Sequence, residues 1–376
     1  MVNKKLLFII NVDWFFVSHR LPIAQAALKK GFEVHIACAV TDKKDQLESE
    51  GIIVHDLGLS RSSTAFSSEV KAIVDIYKVI RNVKPDIVHS VTIKPVLYGN
   101  IMARLLGVPV RVSSISGLGY VFIASGIKAK IFRVFVSVMY RMALGSSNAV
   151  IFQNKSDRDV IRKIGTIEPK QEILIPGSGV DLACYPVLDE PMEIPVVMLV
   201  ARLLIDKGVN EFVAAANTLK PLRPNIRMVL VGDVDSGNPK SVTSEQLATW
   251  VTEGVVEHWG YSDNVADTMS KSNVIVLPSY REGLPKCLIE AAACGRAVVT
   301  TDVPGCRDAI EPEKTGLLVP VKTVRPLVDA ILKLIDDDTL RHALATRGRE
   351  FAEEAFDIKD VVDTHLAIYT NNEESV

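Results

Sequence analysis

Two glutamates, Glu282 and Glu290, stand eight positions apart in the run Ser279-Tyr280-Arg281-Glu282-Gly283-Leu284-Pro285-Lys286-Cys287-Leu288-Ile289-Glu290. Two cations, Arg202 and Lys207, stand in the earlier run Ala201-Arg202-Leu203-Leu204-Ile205-Asp206-Lys207-Gly208. An arginine fork and a compact lysine charge together suit a diphosphate. With the two carboxylates, they suggest a phosphate-bearing ligand held between them. A glutamate pair at this spacing is also met as a loop carboxylate and a solvated helix face, so its context has to carry the reading.

That context is an alternation of strand and helix. Val274–Leu277 reads as a buried strand, and Pro285 suits the first turn of a helix, where its missing N–H costs nothing. Glu282 then belongs to the loop at the carboxyl end of a strand and Glu290 to the helix, more than one turn in. Arg202 and Lys207 follow the apolar run Val196–Ala201 in the same way. In an open α/β sheet the carboxyl ends of the strands are where ligands bind, and free helix N–H groups favour an anion there.

The same rhythm runs through the chain. Strands are expected at Lys5–Asn11, Glu33–Ala39, Asp86–Ser90, Pro109–Ser114 and Ala149–Gln153, with helices at Pro22–Lys30 and Ser68–Asn82. Three prolines between Pro186 and Pro195 suggest a hinge, after which strands recur at Arg227–Val231, near Val255–Trp259, and at Ala297–Thr301, with a helix at Asn210–Leu219. The expected fold is α/β: two doubly wound, Rossmann-like parallel-sheet domains, residues 1–186 and 187–357, with a cleft between them; a last helix near 358–372 could pack on either domain, packing back on the first being one of the two arrangements.

Composition agrees with a packed enzyme: 376 residues, 48% hydrophobic and 23% charged. Five cysteines without a C-x-x-C pair suggest a reducing compartment, and no uninterrupted apolar run reaches the ~20 residues of a spanning helix, so a cytoplasmic protein is expected. The charge is lopsided. Residues 1–185 carry 24 Lys/Arg against 15 Asp/Glu, and residues 186–376 carry 19 against 30. Nothing acidic falls between Asp86 and Asp157, while eight bases do. One half should therefore favour an anionic surface or ligand. The helix expected over Lys128–Leu144 sets Lys130, Arg133, Ser137 and Arg141 on one stripe, with Ile131, Phe132, Phe135, Val138, Met139 and Met142 filling the remainder; with Lys128 it suits an anionic membrane interface, a core helix with one solvated stripe being the alternative.

In the first half, Ser18-His19-Arg20-Leu21-Pro22 reads as a loop entering a helix, a candidate anion site; Lys94 follows the strand ending at Ser90; and Ser116-Gly117-Leu118-Gly119-Tyr120 reads as a glycine loop. His19 as a packing residue, and the glycines as a plain turn, are the alternatives.

These motifs resemble glycosyltransferase family 4, retaining enzymes of the GT-B fold, over nearly the whole chain. The family's E-x7-E motif matches Glu282 and Glu290, and its Arg…Lys pair matches Arg202 and Lys207. The resemblance implies that Arg202 and Lys207 hold the donor diphosphate and stabilise the leaving UDP. Glu290 would hydrogen-bond the ribose and Glu282 contact the donor sugar. Gly232 and Tyr261 would border the nucleotide, and the segment Gly283-Leu284-Pro285 would meet the phosphate. The first half is most similar to bacterial enzymes that extend undecaprenyl-diphosphate-linked sugars. That implies a hexose or N-acetylhexosamine donor, with N-acetylgalactosamine preferred, and an acceptor held by His19, Arg20, Lys94, Gly117 and Gly119. No cofactor, metal or nucleic-acid partner is expected, and the enzyme would work peripherally on the inner membrane face.

Other classes fit less well. A nicotinamide oxidoreductase needs G-x-G-x-x-G after a first strand, and neither Asn11–Phe15 nor Ala201–Leu204 contains glycine. A non-catalytic sugar-binding protein would have no need of all four charged residues. A family-4 transferase with a different lipid or soluble acceptor stays open.

Overall fold

The computed structural model describes residues 3–58, 66–118, 127–165 and 167–371. The chain forms two compact units. One comprises Met1–Ser178 and Ile358–Val376, the other Gly179–Asp357.

The first unit holds seven strands: β1 Lys5–Val12, β2 Glu33–Ala39, β3 Ile53–Asp56, β4 Ile87–Val91, β5 Val110–Ile115, β6 Ala149–Phe152 and β7 Glu172–Leu174. Their order is β3-β2-β1-β4-β5-β6-β7, and every pairing is parallel. The second holds six: β8 Val196–Val200, β9 Arg227–Val231, β10 Glu257–His258, β11 Val274–Leu277, β12 Ala297–Thr301 and β13 Gly316–Val319, in the order β10-β9-β8-β11-β12-β13, again all parallel. Both sheets are buried on two faces, which is why their strands read as unbroken apolar runs rather than as alternation. In each sheet the chain winds outward for three strands and then crosses back. The resulting switch points lie between β1 and β4 and between β8 and β11.

The stretch expected to be a hinge is fastened to the second unit. The buried Arg296 donates to the carbonyls of Leu188 and Asp189, and Asn273 to Glu190 Oε2 and the Pro191 carbonyl. Glu190 also takes Arg341 Nε at 2.7 Å. The boundary thus falls before Gly179, not at 186, because buried donors claim this segment's carbonyls.

The first helix differs most from expectation. It runs Asp13–Lys29 with Pro22 inside it, not from Pro22. The buried Asp13 carboxylate starts it early, accepting from Thr41 N, Thr41 Oγ1, Lys43 N and Trp14 N. Burial alone would raise that carboxyl's pKa; the hydrogen bonds outweigh burial and hold it below the ordinary range. The helix Ile358–Asn371 packs on the same face: Val361, Ile368 and Tyr369 share a core with Phe8, Phe16 and Ile23.

That core encloses Arg20, His89 and His365. His89 lies between the Tyr369 hydroxyl (2.6 Å) and Ser114 Oγ (2.7 Å), and His365 stacks on it at 5.6 Å. Burial, then the like charge of Arg20, pushes His365 down to about 3, and burial holds His89 well below its usual value. Both are therefore neutral in the fold and gain a proton first in the unfolded chain. Stability present at neutral pH should be lost as pH falls below about 6.5, by up to about 1.4 kcal/mol per histidine per pH unit. Thermal melts from pH 7.5 to 5 check this. A flat melting profile to pH 5.5 would contradict it.

Candidate active site

The site is built from loops that leave the carboxyl ends of β8, β9, β11 and β12. After β8, Ala201 N–H still pairs with Val231 O at 3.0 Å, and Arg202 emerges beyond it. A single 3₁₀ turn, Ile205–Lys207, follows. Gly208 then takes a left-handed φ of 76° and opens the helix Val209–Leu222. No other residue fits there: a Cβ on Gly208 would sit 2.1 Å from the Pro278 carbonyl oxygen, in the loop after β11. Tyr280 N–H and Ser279 Oγ both reach the Asp206 carbonyl, at 2.9 and 3.0 Å. The two loops are thus laced backbone to backbone, and Lys207 and Glu282 meet as a consequence, Nζ to Oε1 at 2.6 Å.

Gly232 and Gly305 close the remaining sides. A Cβ on Gly232 would lie 2.1 Å from the Ala201 carbonyl, and one on Gly305 would lie 2.4 Å from the Glu282 carbonyl. Glu282 N–H also donates to Pro304 O.

The electrostatics are those of a prepaired cation. Burial would lower the pKa of Lys207, but the Glu282 carboxylate outweighs it and holds the ammonium above its ordinary value. Ser279 Oγ also lies within hydrogen-bond reach of the same Oε1 of Glu282, its one hydroxyl proton shared between that oxygen and the Asp206 carbonyl. Oε2 accepts nothing from the described residues. Glu290 is arranged alike. It is buried on the helix Lys286–Ala293, its Oε1 takes the Tyr185 hydroxyl at 2.7 Å, with Lys286 Nζ at 3.4 Å, and its Oε2 takes nothing from the described residues. Arg202 is the more exposed cation, at 43%, and donates to Asp235 at 2.8 Å. Burial pushes the Cys287 thiol up, even with Lys207 nearby, which favours the protonated form.

Of the residues expected here, Arg202, Lys207, Glu282 and Glu290 gather at the β8/β11 switch point. Gly283, Leu284 and Pro285 are buried beside them. Pro285 caps the helix from outside rather than occupying its first turn, and Leu288 N–H bonds its carbonyl. Tyr261 stands exposed just beyond Gly260. Sequence reasoning missed Tyr185, Asp235 and Gly305. Of these only Gly305, behind Pro304 in a strand-end loop, left a signal.

The first-half candidates divide. Lys94 lies in the first turn of the helix Ile93–Leu105 after β4, paired with Glu69 at 2.6 Å. Gly117 takes φ 110° in the turn after β5. His19 is not in a loop: it rides the first helix, stacked on Phe15 at 4.0 Å. Arg20 is a correction. It is 1% exposed, points into the core beside His89 and His365, and donates to the His19 carbonyl at 2.9 Å, so it cannot meet an acceptor at the surface. Gly119 lies outside the described residues, as do the side chains of Lys128, Lys130 and Arg133. Arg141 is exposed on the helix Ile127–Leu144 and holds the Ile164 carbonyl.

Two all-parallel α/β units are the architecture of the GT-B fold, and a lysine–glutamate pair stands at the switch point of the second. Residues 186–351 match the family described as glycosyl transferases group 1, and residues 5–154 the family described as glycosyl transferase 4-like; the chain belongs to the enzymes that join these two domains. Among relatives, an N,N'-diacetylbacillosaminyl-diphospho-undecaprenol alpha-1,3-N-acetylgalactosaminyltransferase of Campylobacter jejuni is 29% identical, over 94% of this chain and 97% of that one. A UDP-Gal:alpha-D-GlcNAc-diphosphoundecaprenol alpha-1,3-galactosyltransferase of Escherichia coli is 24% identical, over 80% and 79%. Sucrose-phosphate synthase from Thermosynechococcus elongatus has the same fold, with a TM-score of 0.81 at 20% identity and full coverage of both chains. So does Anabaena HepE in complex with UDP and glucose, with a TM-score of 0.77 at 18% identity, over 97% of this chain and 98% of that one. The chain is a hexosyltransferase.

Proposed function

We propose that this enzyme moves a hexose or N-acetylhexosamine, N-acetylgalactosamine by preference, from a UDP-sugar to a polyprenyl-diphosphate-linked saccharide. The reaction proceeds with retention, without a metal ion, and serves a surface polysaccharide or glycoprotein glycan. The Lys207–Glu282 pair at the head of β8 and β11 carries the reading. Arg202 and Lys207 take the donor diphosphate. Glu282 Oε2 accepts from a hydroxyl of the donor sugar, Glu290 Oε2 accepts from the ribose, and Tyr261 and Gly232 border the nucleotide. The hard step is breaking the bond from sugar C1 to the phosphate oxygen while positive charge grows on the ring. Two preorganised cations at the departing oxygen meet the leaving charge without a metal. The acceptor hydroxyl oxygen forms the new bond to C1 on the same face, and its proton passes to the departing diphosphate. The polyprenyl-linked acceptors named for the relatives from C. jejuni and E. coli support the acceptor class. His19, Lys94 and Gly117, near the carboxyl ends of β1, β4 and β5, are the residues proposed to meet it. Saturable binding of UDP to the purified chain, lost in Arg202→Ala, tests the donor half. An Arg202→Ala variant that binds UDP normally contradicts it.

The enzyme works at the inner face of the membrane. No helix among the described residues is long and apolar enough to cross one. On the helix Ile127–Leu144, Val134, Val138 and Met142 are 62%, 48% and 51% exposed at helical spacing, with Arg141 alongside. An exposed apolar ridge beside a cation suits an anionic interface. Flotation with vesicles should show binding that rises with anionic lipid and falls with salt. Binding indifferent to both would remove the membrane from the account, and turnover without lipid dependence would favour a soluble acceptor.

A further inference from the structure

The two donors to Glu290 come from different places. Lys286 is one turn back on the same helix, but Tyr185 stands 105 residues earlier, in the segment just before the second sheet begins. That segment is held deliberately close. Arg349 Nη1 donates both to the Tyr185 carbonyl and to the Ala293 carbonyl, each at 2.6 Å, so one guanidinium ties the backbone of Tyr185 to the carboxyl end of the Glu290 helix. The Tyr185 ring lies against the apolar layer that includes Leu288, Ile289 and Phe356. A glutamate's last torsion is broad and poorly fixed by packing alone. Here the tyrosine hydroxyl holds Oε1 on the protein side, which turns Oε2 the other way.

We propose that Tyr185 is a positioning residue of the donor site, one that holds the Glu290 carboxylate in the orientation that receives the ribose hydroxyls of the nucleotide. The inference rests on the ribose role given to Glu290 above. Burial and the neighbouring carboxylate both keep the phenol protonated, so it donates across the working pH range. A ring that merely packs would serve equally well without its hydroxyl. A hydroxyl that aims a carboxylate matters only to a ligand that the carboxylate touches.

The test compares two ligands, UDP and 2′,3′-dideoxy-UDP, by calorimetry on the full chain, Tyr185→Phe, Glu290→Gln and the double variant. Tyr185→Phe should weaken UDP by about tenfold to a hundredfold, the loss of one hydrogen bond to a charged group, and leave the dideoxy nucleotide unchanged. The double variant should bind UDP no worse than Glu290→Gln alone. In turnover, Tyr185→Phe should raise the donor KM by the same factor at unaltered kcat. If Glu290→Gln discriminates between the nucleotides but Tyr185→Phe weakens both alike, or neither, Tyr185 only packs and the proposal is overturned. If Glu290→Gln does not discriminate, the ribose reading itself fails, and the proposal with it.

Discussion

Lys207→Ala is expected to lower kcat by about two to three orders of magnitude, the range found when one preorganised donor to a developing anion is removed. Lys207 is both shielded and prepaired. Its side chain is 22% exposed, Glu282 sits 2.6 Å away, and the laced backbone of Gly208 and Pro278 fixes where its stem begins. Alanine removes the charge that meets the departing diphosphate and leaves Glu282, 13% exposed, facing that diphosphate unpaired. Both changes oppose the same transition state. Arg202, 43% exposed, keeps a water-screened charge and does not make good the loss. Steady-state kinetics with thermal melts on the same samples separate catalysis from folding. A folded Lys207→Ala with kcat within tenfold of the parent would remove the lysine from the leaving-group role.

Gly208→Ala is expected to damage the site through the backbone, costing about 3 kcal/mol or more of stability and most of the donor binding. A left-handed φ of 76° disfavours any side chain, and the added Cβ would lie 2.1 Å from a backbone carbonyl that cannot swing aside. Either the β8 loop or the β11 loop has to move, and either movement parts Lys207 from Glu282. Gly51 makes a good control. Its φ is 81°, but no atom lies within 4 Å of its Cβ position, so Gly51→Ala bears the backbone strain alone. Denaturant melts that show equal losses at the two positions would mean the loops are not packed as described.

The sequence carried much of this because buried parallel strands are short apolar runs bounded by turns. Glu33–Ala39, Arg227–Val231, Val274–Leu277 and Ala297–Thr301 are strands at the expected bounds. The edge strands β3, β7 and β13 escaped. Ile53-Val54-His55-Asp56 and Glu172-Ile173-Leu174 are too short and mixed to stand out from loops. The first helix was misread because proline at Pro22 resembles a start signal. The actual start depends on hydrogen bonds to Asp13 from Thr41 and Lys43, a long-range contact that local pattern does not encode. Arg20 went wrong as a result: once the helix begins at Asp13, its position turns inward. In the second unit, Arg202, Lys207 and Glu282 beyond strand ends and Glu290 on the helix that follows stood out by residue type together with the strand–proline–helix context. Tyr185 was not, since only the fold brings it to Glu290.

The most direct test is transfer itself. The purified enzyme, in EDTA, is offered UDP-GalNAc, UDP-GlcNAc, UDP-Gal, UDP-Glc and a GDP-sugar control with a polyprenyl-diphosphate-linked sugar, and UDP release and product mass are read. The account predicts transfer from one of the UDP-sugars, undiminished by EDTA, with the anomeric configuration of the donor retained in the product. Transfer that needs an added divalent metal, or that uses only the GDP-sugar, would contradict it.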